Sequence, residues 1–152
     1  MQKWSANIWV NTMEITNMFS VGIDPEELER AIRRKIPNIC YIQFPIIDGG
    51  VPDFDSSMYW RDVLSQELQM HLRNGKKILI HCRGGLGWTG TIATRLLVDL
   101  VGSDGIDGTC GISAEDAISI VTKCRNGAIK NSIQENWISL KQLKTISIRL
   151  IV

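Results

Sequence analysis

The chain has 152 residues, 44% of them hydrophobic and 22% charged, with a net charge of about +1. That is enough for one domain with its own core, spanning residues 1–152, and too little for two ordinary ones. The balanced charge offers no basic excess for nucleic acid, and no apolar run approaches the roughly 18 residues that cross a bilayer, so neither partner is expected. The N-terminus lacks the charged start, apolar stretch and small-residue cleavage site of a signal peptide. Cys40, Cys82, Cys110 and Cys124 have no metal-type pairing, which argues for reduced thiols in a cytoplasmic setting and against a metal site.

In chain order, Ala6 to Thr12 reads as a strand with Ile8 and Val10 on one face, and Met13 to Ile23 carries no period and reads as loop. Asp24-Pro25-Glu26-Glu27 opens a helix with a cap, a proline at the first position and acids in the first turn. Leu28, Ala31 and Ile32 form its apolar stripe. Asn38 to Ile47 is rich in Ile, Tyr and Phe and predicts a buried strand running into Asp48-Gly49-Gly50. Ser56 or Ser57 caps a long helix with Trp60, Leu64, Leu68 and Leu72 recurring every fourth residue, ended by Asn74-Gly75. The apolar run Ile78-Leu79-Ile80 then leads into His81 and Cys82, and a helix begins near Thr89, carrying Ile92, Ala93, Leu96, Leu97 and Leu100. Gly102 to Gly111 is the most loop-like stretch. Ser113 opens a helix that buries Ala117, Ile118 and Val121, and Ser132-x-x-Glu135 is a capping box for a last helix with Trp137, Leu140 and Leu143. The tail, Thr145 to Val152, fits a strand or a frayed helix end equally. Strands alternating with helices predict an α/β fold with helices on the faces of a sheet.

The stretch around which this is organised is the strand–loop–helix at Cys82. Glycines 84, 85 and 87 let successive backbone N–H groups converge on one point. The positive end of the following helix faces the same point, so the place favours an anion.

His81-Cys82-x-x-Gly85-x-x-Trp88-Thr89-Gly90 resembles the signature loop of the cysteine-dependent protein tyrosine and dual-specificity phosphatases, with one departure. In that family an arginine stands six positions after the cysteine, where this chain has Trp88. The wider resemblance covers roughly Asn7 to Lys141. It is strongest to the branch containing the cyclin-dependent kinase-associated phosphatase, through Pro45 to Asp53, the Cys82 loop, and Arg125-x-Gly127-Ala128-Ile129 leading to Gln134. It implies a central, mostly parallel sheet flanked by helices, shortened at the N-terminus because the family usually carries a further strand and helix before the strand near Ile8. The exposed edge that this would leave, with apolar surface at Trp4 and Trp9, suggests self-association or packing of the Ile146–Val152 tail over it.

The resemblance also implies roles. Cys82 is the nucleophile that becomes a phosphocysteine; Arg83, Gly84, Gly85, Leu86, Gly87 and Trp88 surround the phosphoryl group. Asp48 matches the general acid best, with Asp53, at a helix start, the alternative. Thr89 donates to the sulfur or merely caps its helix. His81 supports the loop, and Gln134 either positions water or is simply solvated. No cofactor or metal is implied, and the partner is a phosphorylated protein or a small phosphomonoester.

Trp88 decides how much of this chemistry is expected. Arginine pairs bidentately with two phosphoryl oxygens and stays charged. Tryptophan has one N–H donor and no charge, and its indole either fills the phosphate site or points away and leaves it undercharged. An arginine in such a transition state is worth on the order of 10³–10⁵ in rate. Three readings follow: a phosphatase fold with little or no turnover that binds phosphorylated ligands, a slow phosphatase using another cation such as Arg83, and an altered copy of an active enzyme. A redox thiol protein or a rhodanese-like sulfurtransferase fits less well, because there is no Cys-x-x-Cys and the Asp48 segment would have no purpose.

Overall fold

The computed structural model describes residues 5–84, 86–102 and 111–140. Three parallel strands, β1 (Ile8–Asn11), β2 (Cys40–Gln43) and β3 (Ile78–His81), form a sheet in the order β2-β1-β3, with Ile8 level with Cys40 and Ile78. β1 is therefore the middle strand of the described sheet, and the strand that runs into Cys82 lies beside it. In the structure β3 pairs with β1 alone among the described residues.

The connections explain where a site can form. From β1 the chain passes through α1 (Ile15–Ser20) and α2 (Pro25–Lys35) to β2 on one side. It then passes through α3 (Phe54–Tyr59), a π-helical turn (Trp60–Leu64) and α4 (Ser65–Arg73) to β3 on the other. From β3 it enters α5 (Gly87–Val101), then α6 (Ala114–Cys124) and α7 (Ser132–Ser139). α2 covers one face of the sheet, where Ile32 and Ile39 pack with Trp9, Tyr41 and Leu79. The other face carries Ile8 and Val10 into the main core with Trp60, Leu64, Leu68, Ile92 and Leu96. Segments that leave neighbouring strands for opposite faces open a crevice at the carboxyl ends of those strands.

The caps largely follow the sequence, with informative exceptions. Asp24 accepts from the Glu27 amide at 3.0 Å, and Ser113 from the Asp116 amide at 3.0 Å, as their positions predict. α3 is capped by Asp53, which accepts from the Ser56 amide at 2.7 Å, rather than by Ser56 or Ser57. That hydrogen bond holds the Asp53 carboxyl below its ordinary pKa. The long helix is interrupted where the Ser65 N–H reaches back five residues to the Trp60 carbonyl. The last helix is capped by Asn131, one residue before the predicted box. α1 occupies part of the segment read as loop, because six residues are too few to display a period. Trp9 is half-buried beneath α2 rather than facing outward; Trp4, the stretch 103–110 and the tail beyond 140 lie outside the described residues.

Two polar clusters fix the layers. Under α1, buried Asn11 accepts from the Met13 amide and donates to Tyr41 Oη (3.0 Å) and Gln43 Oε1 (3.1 Å), while Gln43 Nε2 donates to the Met13 carbonyl. These bonds turn the chain from β1 into α1. On the other face, Arg95 of α5 pairs with Asp99 at 2.9 Å, their side chains only 6% and 3% exposed. Asp99 Oδ2 also accepts from Trp60 Nε1 (2.9 Å) and Ser65 Oγ (2.6 Å). Arg95 Nη1 donates to the carbonyls of Trp137, Ile138 and Leu140, and the guanidinium stands 5.6 Å from the Trp137 ring centre.

Removing one partner of a buried pair strands the other charge, which costs about 3–5 kcal/mol. Asp99→Ala is expected to lower unfolding free energy by that amount in a urea titration, and more than Asp99→Asn, which still accepts from Trp60 and Ser65.

His81 gives a second, pH-dependent expectation. Its ring lies 5.8 Å from that of Trp9, its Nδ1 is buried without a hydrogen bond among the described residues, and burial pushes its pKa below the ordinary 6.5. On acidification the unfolded chain therefore takes up this proton first. Stability is full above the unfolded value and is lost as pH falls through it toward the folded one. Between about pH 7.5 and about pH 5.5 the thermal midpoint should fall less in His81→Gln than in the unaltered chain; equal falls would exclude His81 as the source.

Candidate active site

β3 ends at His81, and Cys82 follows at the base of the loop, 5% exposed. The His81 carbonyl accepts from both the Thr12 amide (2.8 Å) and Thr12 Oγ1 (3.0 Å), which ties the start of the loop to the end of β1. After Arg83 and Gly84, both exposed, Leu86 precedes the first residue of α5, Gly87. Gly85 lies outside the described residues. The loop thus runs from a strand's carboxyl end into a helix N-terminus, the arrangement that the sequence predicts.

A cavity of about 360 Å³ opens above the sulfur, within the roughly 300–1,000 Å³ range of ligand pockets. Of the residues singled out from the sequence, Cys82, Arg83, Gly84, Leu86, Gly87, Trp88, Asp48 and Gln134 line it. Asp53 does not; it caps α3. The geometry brings Asp48 and Cys82 to one cavity and leaves Asp53 outside.

Trp88 neither fills the cavity nor leaves it. The indole is 8% exposed and forms part of the wall, and its Nε1–H donates to the Ile47 carbonyl at 3.1 Å. The two residues after Asp48 are held as well: Asn131 Nδ2 donates to the Gly49 carbonyl (3.1 Å), and Gln134 Nε2 approaches the Gly50 carbonyl at 3.5 Å. The Asp48 turn is therefore tethered on both sides, by α5 through Trp88 and by the start of α7.

Gln134 is 1% exposed, so simple solvation does not describe it. Its Oε1 accepts from the Lys130 amide at 2.7 Å, and its own amide donates to Asn131 Oδ1. Thr89 is the third residue of α5 and does not cap it; the N-cap position is Leu86, which makes no side-chain cap. Its Oγ1 is buried and makes no hydrogen bond among the described residues, so the bond to sulfur that the resemblance implies is not formed.

Two cavity residues escaped the sequence analysis. Asn17 enters from α1, a turn and a half of helix without a readable period. Lys130 enters from the loop before α7, and nothing in its neighbours marks it as a cavity residue. The loop is brought there by Gly90, which packs face to face with it. A Cβ on Gly90 would stand 2.8 Å from Ala128 Cβ and 3.0 Å from the Ile129 nitrogen. The sequence signal for this approach is the Gly90 that ends the signature pattern.

The family model described as cyclin-dependent kinase inhibitor 3 (CDKN3) matches residues 32–112, more than half of the chain and inclusive of Asp48, Cys82 and Trp88. The rat cyclin-dependent kinase inhibitor 3 is 39% identical over 95 residues, a match that covers 62% of this chain and 39% of that protein. The rat RNA/RNP complex-1-interacting phosphatase is 27% identical over 108 residues, covering 71% of this chain and 29% of the relative. The chain thus spans less than half the length of these curated relatives. Among solved structures, kinase-associated phosphatase with its catalytic-site cysteine replaced by serine superposes with a TM-score of 0.67 at 29% identity, covering 88% of this chain and 66% of that one. Tk-PTP in its active form gives a TM-score of 0.64 at 23% identity, covering 88% and 76%, a likeness of fold. The loop, the cavity and these matches agree: the chain belongs to the cyclin-dependent kinase inhibitor 3 family, the kinase-associated-phosphatase-like branch of the cysteine-dependent tyrosine and dual-specificity phosphatases.

Proposed function

We propose that this chain binds phosphate monoesters at the Cys82 loop and turns them over weakly or not at all. The observation that carries the reading is the direction of Trp88: its one N–H is committed to the Ile47 carbonyl, so the residue at the arginine position offers a ligand neither charge nor a donor. The cavity stays open beside it, with the helix N-terminus and the Cys82 sulfur at its base. Phosphoryl transfer rests on positioning and on compensating the charge of the equatorial oxygens, so losing the cation harms transfer more than it harms binding.

In this reading Cys82 attacks phosphorus and Asp48 protonates the leaving oxygen, with the unpartnered Thr89 hydroxyl able to donate toward the sulfur once a ligand is seated. His81 and Gln134 brace the loop and the Asp48 turn. The ligand is a phosphorylated protein; the names of the relatives associate those proteins with kinases, which supports a kinase or another phosphoprotein as partner. The strand near Ile8 is not the open edge that the sequence suggests, because β1 is paired with both β2 and β3; the outer edge of β3 has no partner strand among the described residues, and self-association through a sheet edge is proposed there instead. Light scattering that finds only monomer at high concentration would remove that part.

Hydrolysis of a small aryl phosphate tests the central claim. The unaltered chain is expected to be near background, and Trp88→Arg to raise the rate by on the order of 10³ or more. The gain should vanish in Trp88→Arg/Cys82→Ser and shrink in Trp88→Arg/Asp48→Asn but not in Trp88→Arg/Asp53→Asn. A substantial Cys82-dependent rate in the unaltered chain, unimproved by Trp88→Arg, would instead make this a working phosphatase with a different cation.

A further inference from the structure

We infer that Lys130 supplies the positive charge that holds an anion over the Cys82 loop, an assignment that rests on the phosphoryl-binding reading above. The backbone before Lys130 is held against its preference. Ile129 has φ +65°, a left-handed conformation that a β-branched residue rarely adopts. Such strain persists only where the surroundings over-determine it. Here they do, because Ala128 and Ile129 are seated on the bare backbone of Gly90 in the first turn of α5. One residue later the Lys130 amide is fixed by Gln134 Oε1, a side chain itself buried and bonded at both ends.

The result is a lysine whose stem lies across the helix N-terminus. Lys130 Cγ is 3.4 Å from where a Gly87 Cβ would stand, so a side chain at 87 would crowd the stem. Lys130 lines the same cavity as Cys82 and Gly84, and no carboxylate is paired with its ammonium among the described residues. The other cations near the loop are differently placed. Arg125 donates to the Gly84 carbonyl at 3.3 Å, bracing the loop, and is not part of the cavity lining. Arg83 lines the cavity and is exposed, as Lys130 is, but it is rooted directly after the cysteine, and among the described residues no contact fixes its stem. Asp48 faces the cavity too and, as the proton donor of that reading, supplies no positive charge.

An ammonium is a point charge on a flexible stem, without the planar fork that matches two phosphoryl oxygens. It would favour tetrahedral oxyanions with little discrimination among them, and its contribution would fade with added salt.

Titration of the full chain with inorganic phosphate, followed by calorimetry at low and high sodium chloride, tests the assignment. Lys130→Met is expected to weaken binding about tenfold at low salt and to flatten the salt dependence. Lys130→Arg should restore both, and Lys123→Met on the exposed face of α6 should change neither. Lys130→Gln serves as the second neutral variant, and an unchanged unfolding midpoint separates lost charge from lost fold. If phosphate binds the unaltered chain and both neutral variants equally, Lys130 is not the cation and the phosphoryl-binding reading stands. An equal or larger loss on Arg83→Met also overturns the assignment, in favour of Arg83. If the unaltered chain binds no phosphate, both this assignment and the reading beneath it fall.

Discussion

The buried pair Arg95–Asp99 is the point from which the rest of the molecule is held in place. Both charges lie on α5, one turn apart, in a layer that offers no water, so each must be fully satisfied by protein. Asp99 is met by the indole of Trp60 and the hydroxyl of Ser65, which fixes α5 against the π-helical turn and the start of α4. Arg95 donates to the carbonyls of Trp137, Ile138 and Leu140 at the end of α7, where helix carbonyls run out of intrahelical donors; that of Trp137 also accepts from the Leu140 amide. Such a pair is not a large net source of stability, because desolvation offsets most of the attraction. What it contributes is register: α5 cannot slide or rotate without exposing a charge to apolar surroundings. The N-terminus of α5 lies two turns upstream, and its position beneath the Cys82 loop follows from that register.

From this fixed helix, the site is assembled by contacts that need small or particular residues. Gly90 admits the Ala128–Ile129 backbone, Asn131 both caps α7 and grips Gly49, and Gln134 links Lys130 to Gly50. The acid-bearing turn and the loop carrying the lysine are thereby set against the same end of α5 as the cysteine. Trp88 belongs to this assembly as a brace. A residue that a phosphatase would aim at its ligand is here aimed at the Ile47 carbonyl, and its apolar body closes the wall.

The parts of the fold set by local chemistry could be read from the sequence, and those set by distant partners could not. Asp24-Pro25 and Ser113 announce their helices because a cap is a contact within four residues. The loop at Cys82 is legible because glycines, a strand and a helix start are adjacent in the chain. Asp53 and Asn131 were displaced by one to four residues as caps because several neighbouring polar residues satisfy the same pattern, and tertiary packing chooses among them. The π-helical turn at Trp60 keeps the same apolar spacing as an unbroken helix, so no period reveals it. Lys130 could not be found at all, since its place depends on a glycine forty positions earlier and on a strained Ile129.

In the proposed function, binding and turnover separate at this site for a reason of magnitude. In that reading, loop amides and the helix N-terminus would act on an anion in its ground state, and each such interaction is worth about 1–3 kcal/mol. The missing arginine would act mostly in the transition state, where a factor of 10³–10⁵ corresponds to about 4–7 kcal/mol. Replacing it with a residue that supports the Asp48 turn removes the larger quantity and leaves the smaller ones in place. A lysine at the rim can offset charge in the ground state, but it lacks the fork that follows the oxygens as they flatten in the transition state. On that accounting, the proposed reading has the scaffold keep its braces and lose the bidentate cation, which favours holding a phosphoryl group over transferring it.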